Sequence, residues 1–483
     1  MLTFKDFDDY QVRVIKESMA LKYAAWFIGT GLGKTIMALT VVDQLQKRNL
    51  IESALVIAPK KVIFNTWRQE AYKWEHTKHF KFSLIHHEAG RGNSERVRRL
   101  ALVRKADVYL INYENLTWLR KILDHLYKDR PMPFQAIFYD ESTRIKHSTT
   151  QRFRRFKPYM GRFWYRFILT GTPIPNGLHD LYGQIYAIDL GTRLGTTVTS
   201  FRKRFFHITS PEGTYQIYTP MPGSRRQVQD RIRDRVIHLK KTEYVKLPPI
   251  KYNPIELDLP LKYRKEYDEL ESKFFLDLGN AKIEAFASSA LSMKLRQYLQ
   301  GRVYIGVRAD RIAEYIHKEK LEMLQDMIDK KTGRVEGVGN CLIAYNFHFE
   351  RDDLHSILPK APAIDGRTTE RDAMQYVKQW NSGQLPVLLV NPASVAHGLN
   401  LQTGGNQVLW YSLTWNLEHY IQLIDRLWRR GQTKPVFVHH LLFRNTVDKI
   451  IFEALCRKDR TQEGLLEALK SYRIATSGNQ ERR

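Results

Sequence analysis

Along the chain, short runs of aliphatic, β-branched and aromatic residues alternate with longer stretches whose apolar positions recur at helical spacing. Ala24–Ile28, Ala54–Ala58, Asp107–Ile111, Ala136–Tyr139 and Phe167–Leu169 predict strands in the first half. Cys341–Tyr345, Val387–Val390, Val408–Tyr411 and Val436–His440 predict strands in the second. Apolar runs separated by helical patterns predict parallel sheets covered by helices, an α/β architecture. In such sheets ligands gather at the carboxyl ends of the strands. Polar, glycine-containing segments follow many of the runs directly, so those segments are where chemistry is to be sought.

The pattern breaks between the halves. From about Gly191 to Arg235 it holds Pro211, Gly213, Pro220, Pro222 and Gly223, then Arg225, Arg226, Arg231, Arg233 and Arg235. Leu247-Pro248-Pro249-Ile250 reads as a stiff extended connector, because proline fixes φ and disfavours helix at the residue before it. Lys262 to Gln300 is rich in helix formers. The expected division is a first lobe at 1–246 with a helical, basic insertion at about 186–246. A second lobe at 247–483 carries a helical insertion at about 260–335 and a C-terminal brace.

Composition narrows the class. The 483 residues are too many for one ordinary core. No apolar run approaches the roughly 20 residues of a spanning helix, and Met1–Asp6 lacks the apolar stretch of a signal peptide; no membrane partner is expected. Two cysteines, Cys341 and Cys456, exclude a disulfide framework and a cysteine-rich zinc module, and fit a reducing cytoplasm. Seventy-seven Lys and Arg against 51 Asp and Glu leave a net charge of +26, which points to a polyanionic partner, nucleic acid by default.

Three local patterns carry chemistry. Gly29-Thr30-Gly31-Leu32-Gly33-Lys34-Thr35 lies between a strand and a helix. Its glycines let backbone N–H groups turn toward phosphate oxygens, and the helix N-terminus adds positive charge. Lys34 is placed to neutralise β- and γ-phosphates, and the Thr35 hydroxyl to ligate Mg²⁺. Ile28 stands where the strict pattern wants a further glycine. Asp140-Glu141 ends a buried strand at the same sheet edge. Asp140 is assigned to Mg²⁺ and Glu141 to orienting and deprotonating a water. Gln422 to Gln432 reads as a helix ending at Gly431. Arg426 and Arg429, three apart, share one face and suit the charge of a triphosphate. With the lysine loop and these arginines on different lobes, ATP is expected between them, drawing them together until hydrolysis releases them. His86-His87 and His439-His440 lack cysteines at ligand spacing and read as satisfied imidazoles.

In order, these segments resemble the motifs of superfamily 2 helicase-type motors, most closely the Swi2/Snf2 double-stranded DNA translocases. The resemblance runs from about Tyr10 to Ile451. It takes in Tyr10-Gln11, Gly31–Thr35, Ile57-Ala58-Pro59-Lys60 with Trp67 and Glu70, Ile111–Glu114 and Asp140–Lys146. It continues through Leu169–Asn176, Phe201–Phe205, Lys241–Pro249, Lys294–Gln297, Leu342–Tyr345, Ile364–Gly366 with Arg371, Gly398–Leu401, Gln422–Gln432 and Thr446–Ile450. It implies two RecA-like parallel-sheet lobes in tandem with helical insertions in each, ATP and Mg²⁺ as cofactors, and Gln11 reading adenine. Gly29 to Thr35 then bind ATP, and Thr170, Gly171, Thr172 and Gln422 couple nucleotide state to DNA. Lys60, Asn65, Lys146, Asn346, Gly398 and Asn400 are the expected DNA contacts. Ser142-Thr143 replaces the family's Ala-His, which puts a histidine relay to Leu169–Asn176 in doubt.

The chain resembles a compact bacterial or phage-type member. The expectation is a monomeric, cytoplasmic DNA-dependent ATPase that translocates on double-stranded DNA, with a DNA-processing protein as a further partner. A strand-separating DNA or RNA helicase and a catalytically silent scaffold are the alternative classes. The basic run Arg152, Arg154, Arg155, Lys157 and Arg162 is interleaved with Phe153, Phe156, Tyr159, Phe163 and Trp164. It reads either as a wall of the DNA path or as a solvated helix with its aromatics in the core.

Overall fold

The computed structural model describes residues 1–60, 62–86, 94–128, 130–174, 177–208, 218–278, 290–306, 312–329, 331–395 and 399–456. The chain divides into two compact units, Met1–Lys246 and Leu247–Arg483.

The first unit is built on seven parallel strands. In chain order they are β1 (Tyr23–Ile28), β2 (Ala54–Ala58), β3 (Phe82–Leu84), β4 (Val108–Asn112), β5 (Ala136–Asp140) and β6 (Tyr165–Thr170). After an antiparallel pair, β7 (Phe206–Ile208) and β8 (Tyr218–Pro220), β9 (Val236–Leu239) completes the sheet. The spatial order is β3-β4-β2-β5-β6-β1-β9. Successive residues of each strand serve opposite faces. Ala25, Phe27, Leu55, Ile57, Ile137 and Tyr139 enter one core; Ala24, Trp26, Ile28, Val56, Ala58 and Phe138 enter the other. Both faces are covered, so these strands read as unbroken apolar runs.

The second unit holds six parallel strands: β10 (Ile250–Leu257), β13 (Cys341–Ala344), β14 (Ala363–Ile364), β15 (Val387–Val390), β16 (Gln407–Trp410) and β17 (Val436–Phe443). Their order is β10-β17-β16-β13-β15-β14. An antiparallel pair, β11 (Arg302–Ile305) and β12 (Ile312–Tyr315), stands apart. All nine predicted strands are present, with ends shifted by at most three residues.

The differences lie in the insertions. The segment expected as an insertion at 186–246 contains helices Val198–Phe205 and Ser224–Ile232, but its last strand, β9, returns to the main sheet beside β1. The connector after Pro249 continues as β10, an eight-residue edge strand whose residues pair with β17. Pro254 is tolerated there because one side of an edge strand needs no ladder bond. The second insertion holds helices Leu261–Leu278 and Ala290–Leu299, the β11–β12 pair and helix Glu319–Asp326. In the basic run, Phe153, Phe156, Tyr159 and Phe163 are in the core, whereas Trp164 is 64 % exposed. Among the described residues no helix is long and apolar enough to cross a membrane.

The expected brace is helix Val447–Cys456. Its Asp448 receives Lys320 Nζ at 2.6 Å, with both side chains 1 % exposed, and Lys320 also reaches Gln300 Oε1 at 3.3 Å. Removing one member leaves a buried charge uncompensated. Lys320→Met should therefore destabilise the second unit by about 3–5 kcal/mol, and Lys320→Met/Asp448→Leu should recover much of that loss. Chemical-denaturation midpoints of the three chains check this; equal midpoints for the wild type and the single variant would remove the pair from the fold's support.

Candidate nucleotide site

The segment after β1 begins with Gly29, whose N–H donates to Leu239 O of β9 at 3.0 Å. Gly31 and Gly33 have φ near +80°, a conformation that residues with a Cβ rarely adopt, and Gly33 leads into helix Lys34–Lys47. A Cβ at Gly33 would also fall on the Gln11 amide. Gln11 is held from both ends. Its Oε1 accepts from Asp8 N–H at 3.0 Å, and its Nε2 donates to Leu32 O at 3.2 Å. Tyr10 Oη reaches the same carbonyl at 3.4 Å. Lys34 Nζ donates to Ile28 O at 2.9 Å, folding the side chain back over the loop. Thr35 lies in the first turn of the helix, and Thr30 lies beside Gly171.

Asp140 closes β5. Its Oδ2 accepts from Trp67 Nε1 at 3.0 Å, and its carbonyl accepts from Tyr113 Oη at 2.8 Å. Burial, then the adjacent Glu141, push its carboxyl up to about 6, against Lys34 and the Trp67 hydrogen bond. Glu141 is buried and has φ of +53°, a strained turn that swings the chain away from the sheet. Two adjacent carboxylates, buried and short of positive charge, suit a divalent cation. Among the described residues no group of three or more His, Cys, Asp or Glu could hold a metal. A Mg²⁺ ion would need no such cluster, since it takes one carboxylate, a hydroxyl such as Thr35, waters and phosphates. After β6, Thr170 Oγ1 accepts from Thr172 N–H at 3.1 Å. The first unit thus gathers Gln11, the glycine loop, Lys34, Thr35, Asp140, Glu141 and Thr170–Thr172 at one sheet edge.

In the second unit, Arg426 Nη1 donates to Leu399 O at 3.3 Å, and Arg429 Nη1 donates to Asn400 Oδ1. Gln422 is buried and donates to Glu418 Oε1 at 3.1 Å.

The expected DNA contacts divide. Lys60 is exposed at the end of β2. Gly398 and the side chain of Asn65 lie outside the described residues. Lys146 is drawn inward: its Nζ meets the fully buried Asp180 at 3.2 Å. Asn346 spends its amide N–H groups on Ser412 O and Oγ, both at 2.9 Å, so the side chain ties β13 to β16. For these two, partners distant in sequence take up the side-chain donors. Asn400 accepts twice: its side-chain oxygen from Arg429 Nη1, and its main-chain carbonyl from Asn381 Nδ2 at 2.8 Å.

Trp67, Tyr113 and Lys241 were legible in the sequence only as members of matched segments, Glu350 was not, and the imidazoles of His439 and His440 are hydrogen-bonded as expected. Trp67 and Tyr113 orient Asp140. Lys241 sits against Gly29, 3.0 Å from where its Cβ would be. Glu350, buried behind Asn346, accepts from Asn346 N–H, Phe347 N–H and Ser412 Oγ at 2.7–3.0 Å, and burial pushes it up to about 7. His439 bridges Asn253 and Gln407, while His440 meets Tyr420 Oη at 2.9 Å.

A family model described as the SNF2-related domain matches residues 29–301, and one described as the helicase conserved C-terminal domain matches 319–431. "Putative protein p41" of Acyrthosiphon pisum secondary endosymbiont phage 1 is 32 % identical, the match covering 95 % of this chain and 98 % of that protein. DNA repair and recombination protein RAD54B of Mus musculus is 24 % identical over 91 % of this chain, which spans only 53 % of the mouse protein. A solved Sulfolobus solfataricus SWI2/SNF2 ATPase core in complex with dsDNA aligns with 96 % of this chain and 93 % of its own, at 20 % identity and a TM-score of 0.42.

Because Asp140 is raised, ionising it opposes folding. That penalty is absent below the unfolded carboxylate value near 4, grows as pH rises and is complete above about 6. Asp140→Asn should therefore raise the thermal midpoint of the ligand-free protein by several degrees at pH 8, with the gain shrinking toward pH 4. Melts at the two pH values check this, and no gain at pH 8 would refute the burial penalty.

Proposed function

The chain belongs to the SNF2-related family, and from that premise we propose that it hydrolyses ATP to translocate on double-stranded DNA and to remodel or displace what is bound there. One observation supports this reading above the others: the glycine loop, Lys34 and the buried Asp140–Glu141 pair share a single sheet edge.

Phosphoryl transfer asks a protein for positioning and charge compensation more than for covalent chemistry. In the reading, the N–H groups of the loop cradle the phosphates. Lys34 leaves the Ile28 carbonyl for the β- and γ-phosphates. Gln11, fixed by Asp8, holds the loop and faces the base. Thr35 and Asp140 hold Mg²⁺, which neutralises phosphate charge when bound. Glu141 orients the attacking water and takes its proton. Arg426 and Arg429 exchange their present hydrogen bonds for the charge of the transferring phosphoryl group. Lys60 touches the DNA backbone; contact without base readout is what stepping along any sequence requires.

ATPase rates without nucleic acid, with duplex DNA and with RNA test the proposal. Duplex should stimulate more than RNA, and the reverse order rejects the assignment to DNA. Lys34→Ala should weaken ATP use. Glu141→Gln should retain ATP binding and lose about two to four orders of magnitude in turnover; an unaltered rate would sink the assignment of the base. Displacement of a triplex-forming strand without opening a forked duplex selects translocation, whereas fork opening selects the strand-separating alternative.

A further inference from the structure

Ser142-Thr143 stands where the resemblance leads one to expect Ala-His, which puts a histidine relay from the water-activating segment to Leu169–Asn176 in doubt. A connection without histidine is present. Ser142 is fully buried, and its hydroxyl donates to Gln184 Oε1 at 2.7 Å. Gln184, also fully buried, donates through Nε2 to Pro173 O at 2.6 Å and to Asp180 O at 2.9 Å. The orientation of this amide is unambiguous, because both partners of its nitrogen are carbonyl oxygens and can only accept.

Helix Asp180–Asp189 lies close against the turn that follows Glu141. A Cβ on Gly183 would meet Lys146 O at 2.5 Å and Ile145 O closer still, so only glycine permits the approach. One turn of this helix therefore holds both segments. Lys146 is tied to Asp180, Ser142 to Gln184, and Pro173 to Gln184. The Ser142–Gln184 bond is buried and the other two are partly so, and in a buried bond losing one partner leaves the other unsatisfied. They also anchor the residue that follows Glu141, whose own left-handed backbone is costly and must be held by its surroundings.

We propose that Gln184 is a positioning residue that links Glu141, through Ser142, to the Thr170–Pro173 segment, so that DNA engagement sets the orientation of the water-activating carboxylate. This rests on the motor reading above. Gln184 touches no reacting atom. It transmits by holding a hydroxyl on one side and a main-chain carbonyl on the other, and a shift of Pro173 must be answered at Ser142 or the bonds break.

The test uses the full chain, with Gln184→Met (similar length, no amide), Ser142→Ala and the double variant. ATPase is measured with and without duplex DNA, and triplex displacement is counted per ATP hydrolysed. Gln184→Met should lower DNA-stimulated kcat roughly tenfold, and lower displacement per ATP, with the KM for ATP little changed. Ser142→Ala should move in the same direction, and the double variant should be no worse than Gln184→Met, as one shared connection requires. A stimulated wild type with equally stimulated variants overturns this inference and leaves the motor reading intact. So do losses that multiply in the double variant, or a Gln184→Met defect that appears only as a raised KM and a lowered melting midpoint. A wild type that duplex DNA does not stimulate overturns the motor reading and this inference with it.

Discussion

Two adjacent carboxylates, Asp140 and Glu141, sit buried at the end of β5, and the first unit is arranged around the cost of keeping them there. Burial and the neighbouring Glu141 charge oppose the ionisation of Asp140. The protein compensates in part. Trp67 donates a hydrogen bond to Asp140, and Lys34 supplies the nearest positive charge. Lys34 in turn depends on the glycine loop that positions it. The loop needs Gly33 both for its left-handed backbone and because the Gln11 amide occupies the space of a side chain. Gln11 is held by Asp8 at the start of the first long helix. A line of necessity thus runs from residue 8 to residue 141. It ends with Asp140 still raised to about 6, so the protein's own groups leave that carboxyl under-compensated.

The second unit solves a different problem at its own sheet edge. Glu350 is buried too, but three hydrogen-bond donors converge on one of its oxygens. Arg296, beside it electrostatically, donates to the Leu413 carbonyl at 2.6 Å. Asn346 and Ser412 join the ends of β13 and β16, and Gln432 Nε2 gathers the carbonyls of Gln402 and Gly405 at 3.0 and 3.1 Å. These are scaffold bonds, which fix the loops that carry Leu399, Asn400, Arg426 and Arg429.

How much of this was legible follows from where the partners lie. The main strands were readable because burial on both faces makes them continuous apolar runs. β10 was not, because an edge strand buries only part of its surface and carries Pro254; β9 was not, because four residues in an arginine-rich stretch offer too little pattern. Lys34, Asp140 and Glu141 were readable because the chemistry of a phosphate loop and an acidic strand end is written in consecutive residues. The bonds made by Trp67 and Gln184 were not. Their partners are 73 and 42 positions away, and Gln184 sits in an apolar helix without a motif of its own. The same blindness hid the intramolecular partners of Lys146 and Asn346. Each looks like a free polar group after a strand until Asp180 and Ser412 arrive from elsewhere in the chain.

Lys34, Lys146 and Lys320 differ in the kind of acceptor they meet. Lys34 donates to the Ile28 carbonyl. Lys146 and Lys320 meet the buried carboxylates of Asp180 and Asp448. A bond to a neutral carbonyl contributes on the order of 1 kcal/mol and can be exchanged for phosphate at small cost. A buried carboxylate that loses its cation costs about 3–5 kcal/mol, so such a pair resists exchange. Lys34 can therefore serve a ligand that arrives and leaves, whereas Lys146 and Lys320 hold the framework of their own units.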